Sequence, residues 1–187
     1  MYWIWITGAQ NESQACIHGQ PEVIERLDIE FDNGLPITIE VPHIEIIVEP
    51  EYEGIYTDNL IAMGVPGLVF NQKLSDVISG AGVDNIEYFP VSVKIASTGK
   101  LITGYQIANV VGRIDCIDPA SELQRDDLGD IRFIDHLILD HSKIHGMLIF
   151  RLAEYLPLVV VHDRVKQAIE NVGITGIDFY LPEKLVL

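Results

Sequence analysis

The sequence predicts an α+β protein: a mixed, largely antiparallel sheet that carries two strand-helix-strand repeats and few other helices. Two observations predict it. Leu68 to Val91 and Val159 to Pro182 share one apolar pattern, and most of the remaining chain alternates apolar and polar residues with the period of two that marks strands. Aligning Gly82 with Gly173 superposes two 24-residue windows, each with twelve apolar positions, of which eleven coincide. Chance pairing would give about six, so the match reads as a degenerate internal repeat. Identities are few (Val69/Val160, Ile78/Ile169, Gly82/Gly173, Ile86/Ile177), and the shared pattern carries the comparison.

Each copy opens with an apolar run, Leu68-Val69-Phe70 or Val159-Val160-Val161, and then meets a residue able to cap a helix, Asn71 or Asp163. Leu74, Val77, Ile78 and Ala81 then stand at i, i+3, i+4 and i+7, as do Val165, Ala168, Ile169 and Val172, so each helix buries one stripe. Gly82 and Gly173 fall where a left-handed C-terminal cap is needed. Ile86-Glu87-Tyr88 and Ile177-Asp178-Phe179 alternate as half-buried strands. A parallel pair within each module, an antiparallel one and a split placement are all compatible with so short a connection.

Along the chain, Tyr2 to Thr7 is apolar on both faces and predicts a central strand. Residues 8–22 read as a connecting loop with a short helical turn. Leu27, Ile29 and Phe31, then Ile37, Ile39 and Val41, alternate with polar residues around Asn33-Gly34 and predict a hairpin with one acidic face. Asp58 to Met63 reads as a short helix. After Pro90, Val91 to Ile117 reads as two further strands around a Ser97-Thr98-Gly99-Lys100 turn. Ile131 to Asp140 alternates as a strand, and Phe150-Arg151-Leu152 reads as a helical or turn segment before Pro157.

At 187 residues the chain suffices for a single domain, residues 1–187, burying roughly 70% of its unfolded surface. No segment reaches the ~18 apolar residues of a membrane span, so a soluble, cytoplasmic protein is expected. Cys16 and Cys116 lack a CxxC partner and read as free, buried thiols. Twenty-eight acidic against twelve basic side chains give a net charge of −16. Such a surface repels nucleic acid and anionic membranes and attracts a basic protein, although solubility alone also accounts for it.

Chemistry leaves few traces. His141 and His145 have the i, i+4 spacing that a helix converts into two ligands of one metal, with Asp135, His136 and Asp140 nearby. The flanking strand pattern and the lack of a Glu between the histidines argue against it. The alternative of a metal-dependent hydrolase around His136, His141 and His145 therefore stands below the main reading, beside that of a structural, self-associating module. No nucleophile elbow, Ser-x-x-Lys or phosphate loop fits a strand-to-helix turn. Asp115 and Asp118 flank Cys116 and would raise its pKa. No catalytic residue, metal ligand or cofactor is assigned.

VVVHDRVKQAIENVGITGIDFYLP, with Gly173-Ile174-Thr175-Gly176-Ile177 and Phe179, resembles the C-terminal signature of a family of bacterial immunity proteins from polymorphic toxin systems. Leu68-Val69-Phe70, Gly82-Val83 and Tyr88-Phe89-Pro90 are similar to that family's earlier copy. Asn109-Val110, Asp115, Asp118 and Ser121 resemble its middle segment, and Phe150-Arg151-Leu152 its Phe-Arg-Leu. The resemblance spans roughly residues 60–182, and departs at Asn71 and His162, where the family pattern has a serine. It implies neutralisation of a cognate toxin domain by direct, non-catalytic binding, which an acidic surface suits if the toxin is basic. Glu49, Glu51 and Glu53, and Asp126 and Asp127, are the candidate toxin-binding residues, because they fall in predicted loops. A homodimer is also compatible with the sequence.

Overall fold

The computed structural model describes residues 1–8 and 13–187. In chain order the elements are β1 (Tyr2–Thr7), β2 (Cys16–His18), α1 (Glu22–Leu27), β3 (Ile44–Val48), β4 (Asn59–Met63), β5 (Leu68–Asn71), α2 (Gln72–Gly80), β6 (Ile86–Ile95) and β7 (Leu101–Val110). Then follow β8 (Arg113–Ile114), β9 (Glu122–Arg125), β10 (Ile131–His136), β11 (Ile149–Leu152), β12 (Val159–His162), α3 (Asp163–Val172) and β13 (Ile177–Tyr180). The architecture is mixed α and β, mostly sheet with few helices. One sheet has the order β2-β4-β5-β7-β6-β3, a second β13-β1-β12-β11-β8, and β9 and β10 form a separate hairpin. Among the described residues the pairs β2/β4, β3/β6 and β8/β11 are parallel and the others antiparallel.

Neither strand-helix-strand segment keeps its two strands side by side. β7 lies between β5 and β6, antiparallel to both, and β1 lies in the same way between β12 and β13. Each helix therefore crosses over one intervening strand, the split placement among the three that the sequence left open.

The two arrangements agree in register. Phe70 stands opposite Asn59 on one side and Gln106 on the other, and Val161 stands opposite Ile149 and Trp3. Ile86 faces Val110 as Ile177 faces Thr7. Polar contacts follow the same correspondence. Tyr105 donates its hydroxyl to the Thr57 carbonyl, and Tyr2 donates to that of Met147. The Asn71 N–H donates to the Asp58 carbonyl, and the His162 N–H to that of Leu148. The source of the central strand differs: β7 follows β6 through a hairpin, whereas β1 comes from the opposite end of the chain.

Three apolar cores result. The six-stranded sheet curls until β2 and β3 adjoin without pairing, a near-barrel around Phe31, Ile46, Leu60, Val69 and Ile107. The five-stranded sheet packs Ile4, Phe150 and Val160 against Cys116, Ile134 and Leu137. Between the sheets and under α2 and α3 lies a shared core of Trp5, Phe70, Leu74, Ile78, Val161, Val165 and Ile169. Adjacent strand residues such as Val69 and Phe70, or Ile4 and Trp5, enter different cores, so these strands are apolar on both faces. The expectation of a central β1 is met.

Several local expectations are corrected. Residues 28–43 form no hairpin; Ile29 and Phe31 bury themselves as irregular chain after α1, whose last turn ends in left-handed Asp28. In place of the helix expected over Asp58 to Met63 stands strand β4, Asn59–Met63, because Leu60 enters the barrel core and Asn59 pairs with Phe70. Phe150-Arg151-Leu152 belongs to the buried strand β11, and the strand expected to Asp140 ends at His136. Asn71 caps α2 as expected, accepting from the Leu74 N–H, but α3 is capped by His162, whose ring nitrogen accepts from the Arg164 N–H, and Asp163 is already helical. Of the expected loop 8–22, residues 9–12 lie outside the described residues; Cys16–His18 is strand β2, and α1 begins at Glu22.

Candidate functional site

The Gly-Ile-Thr-Gly-Ile segment shows what the family-like motifs do. Gly173 takes a left-handed φ of 68° and caps α3. Thr175 and Gly176 then dock on the loop entering β4: the Asn59 N–H donates to the Thr175 carbonyl and the Asn59 amide to that of Gly176. A Cβ on Gly176 would lie 2.1 Å from the Asn59 carbonyl oxygen, so a side chain has no room. Asp58 closes the junction. Its carboxylate accepts from the Thr175 N–H and hydroxyl, from the Asn71 amide and from the Lys73 ammonium. Burial alone would raise the Asp58 pKa, but these donors together hold it below the ordinary carboxylate value.

Elsewhere, Asn85 donates to the carbonyls of Val111, just past β7, and of Ile149 in β11, joining the two sheets again. Arg151, in the Phe-Arg-Leu segment, is buried and donates to the carbonyls of Leu156 and Phe31. Asp58, Asn59 and Asn85 were not singled out by sequence, where nothing distinguishes them from other polar residues near strand ends. Of the motif residues, Thr175, Gly176 and Arg151 are thus engaged in internal contacts.

The candidate toxin-binding residues lie on two elements. Glu49 follows β3, and Glu51 sits in the 3-10 turn Pro50–Tyr52, both exposed. Glu53 is exposed and accepts from the Ser97 N–H. The other pair lies at the tip of the β9/β10 hairpin. One Asp126 oxygen accepts from the N–H groups of Leu128 and Asp130, and the other holds Arg132 at 2.6 Å, so Asp126 shapes the turn. Asp127 is exposed beside Leu128, an apolar side chain 87% exposed. No hydrogen bond or ion pair joins the two clusters among the described residues.

The histidines do not form the imagined site. His141–Lys143 is a single 3-10 turn, so the i, i+4 spacing does not place His141 and His145 on one helical face. His141 packs its ring against Tyr2, His136 bonds the Glu183 carbonyl, and His145 adopts a left-handed φ of 52°. Among the described residues no group of three or more His, Cys, Asp or Glu is placed to hold a metal ion. Cys116 is buried and Cys16 half-buried, both free. Burial, then the nearby Glu154 carboxylate, pushes the Cys116 thiol up to about 12, which leaves almost no thiolate at neutral pH.

Residues 6–183 match the model of the Immunity protein family (Imm11). The chain belongs to this immunity protein family. The match takes in the near-barrel, the hairpin and all three helices, and so extends beyond residues 60–182. Among curated proteins none matches. Imm11 membership suggests an immunity role. Among the described residues no helix is long and apolar enough to cross a membrane.

Proposed function

We propose that this protein neutralises a cognate bacterial toxin domain by binding it in the cytoplasm, without catalysing a reaction, and that the toxin presents a basic face. The observation that carries the reading is the family match over residues 6–183, together with the use of the family-like residues Thr175, Gly176 and Arg151 as internal locks. A net charge of −16 favours rapid encounter with a basic partner. Glu49, Glu51, Glu53 and Asp127 supply the contacts, with Asp126 holding the loop that presents Asp127. The whole chain acts as one domain, and the two strand-helix-strand segments are copies of one unit. The matching registers and the matching hydroxyl bonds of Tyr2 and Tyr105 support that view.

The test is capture of the tagged protein from its source cells in moderate salt, followed by expression of the captured domain in a sensitive host. The expected result is a one-to-one complex with a basic domain that kills the host alone and spares it when this chain is co-expressed. Killing undiminished by co-expression would overturn the reading.

A further inference from the structure

The near-barrel leaves one seam open. β2 and β3 are its edge strands, and they adjoin without a hydrogen-bond ladder. A cleft of about 580 Å³ runs along this seam, lined by His18, Glu22, Arg26, Glu45, Ile47 and Glu49 among others. Its volume is within the usual range of ligand sites.

The ladder between β3 and β6 fixes which backbone groups face the cleft. Val48 pairs with Ile95, and its carbonyl accepts from the Ala96 N–H. In a parallel ladder alternate residues bond the same neighbour, so Ile44, Ile46 and Val48 bond β6 and bury their side chains in the barrel. Glu45 and Ile47 consequently turn their N–H and C=O groups to the cleft, where no described residue bonds them. The Ile47 side chain, 42% exposed, sits between the exposed Glu45 and Glu49. An unbonded edge of this kind is a template for a further strand, which would part β2 from β3 on entering the seam.

We propose that the free edge of β3 is a docking site for an extended, basic segment of a protein partner, which adds to the sheet as a strand through the Glu45 and Ile47 backbone groups. Charge decides the occupant. Three carboxylates, Glu22, Glu45 and Glu49, line the cleft against one guanidinium, Arg26, and Lys94 pairs with only one of them, Glu45. Alternating lysine or arginine side chains, which an added strand turns to one face, would meet these carboxylates while their methylene stems cover Ile47. The identity of this partner as the toxin rests on the immunity reading above; the strand-accepting edge does not.

The probe is a blocked octapeptide of alternating lysine and valine, titrated to millimolar concentration into the isotope-labelled full chain, with amide exchange read by NMR. Binding should slow exchange of the Glu45 and Ile47 amides at least tenfold, and alternate N-methylation of the peptide should abolish the effect. The glutamate-valine octapeptide should leave both amides unchanged. Ile47→Pro removes one edge donor while sparing the bonds to β6, and Ile47→Lys is the companion that leaves the backbone intact; each should weaken the peptide at least tenfold. No protection, protection elsewhere, or equal protection by the glutamate peptide would overturn the proposal. In the co-expression assay, protection by Ile47→Lys equal to wild type would remove the toxin from this edge. Failure of the wild type itself would sink the immunity reading and leave the peptide result to judge the edge.

Discussion

Two glycines three residues apart should differ sharply when replaced by alanine. Gly173 and Gly176 both have positive φ, 68° and 85°, and each alanine would carry the left-handed penalty of about 1–2 kcal/mol. At Gly173 nothing lies within 4 Å of the added Cβ, so that penalty is the whole cost. At Gly176 the Cβ would stand 2.1 Å from the Asn59 carbonyl oxygen and 2.6 Å from the Thr57 hydroxyl, and backbone must move. Shifting this loop away from β4 and from the end of β1 stretches three hydrogen bonds, from the Gly8 N–H and the Asn59 amide to the Gly176 carbonyl and from the Asn59 N–H to that of Thr175. At about 1 kcal/mol each, Gly176→Ala should cost about 4–5 kcal/mol. For a chain of this size 1 kcal/mol corresponds to about 2–4 °C, so Gly173→Ala should lower Tm by roughly 2–8 °C and Gly176→Ala by roughly 8–20 °C. Thermal melts by circular dichroism, supported by urea midpoints, would show it. Equal shifts, or a larger one at Gly173, would refute the docking role assigned to Gly176.

Other outcomes follow from single groups. Because its folded pKa is depressed, Asp58 stabilises the fold above about pH 3.9, its ordinary value, and that contribution is lost as pH falls through the depressed value. Asp58→Asn should therefore lower Tm at pH 7, with the gap to wild type closing in acid melts; a gap constant with pH would refute it. Arg151→Met keeps bulk but leaves the Leu156 and Phe31 carbonyls without their donor and should cost about 1–3 kcal/mol in urea, whereas Arg151→Ala should cost about 3 kcal/mol or more; equal losses would refute the contribution of bulk. A disulfide reagent at pH 8 should modify Cys16 alone in the native protein, slowly because burial raises its pKa too, and both cysteines in urea. Rapid modification of Cys116 in the native state would contradict its burial.

Local pattern was enough for the two helices, their flanking strands, the glycine at the end of α3 and the two-faced strand β1. Each is encoded by neighbours in sequence: the i, i+3, i+4, i+7 stripe of Leu74 to Ala81, the cap at Asn71, the alternation at Ile177 to Phe179. The acidic balance and the family motifs were legible in the same way. What failed were segments whose local pattern conflicts with their burial. Ile29 and Phe31 alternate like a strand, yet they fill the barrel as irregular chain, and Asn59 to Met63 has no strand signal until β5 and β2 pair with it.

The sequence by itself determined the two strand-helix-strand segments, the charge and the family, since these reside in residue types and spacings along the chain. Only the tertiary structure decided that β7 and β1 enter the two modules in one register, that Asp58 and Asn59 bind the Thr175-Gly176 turn, and that β2 and β3 leave an open seam. Those are contacts between positions far apart in the chain: Asp58 meets Thr175, and β1 meets β12. A period of two or of 3.6 residues specifies which face a side chain occupies and carries no information about which distant strand will lie beside it.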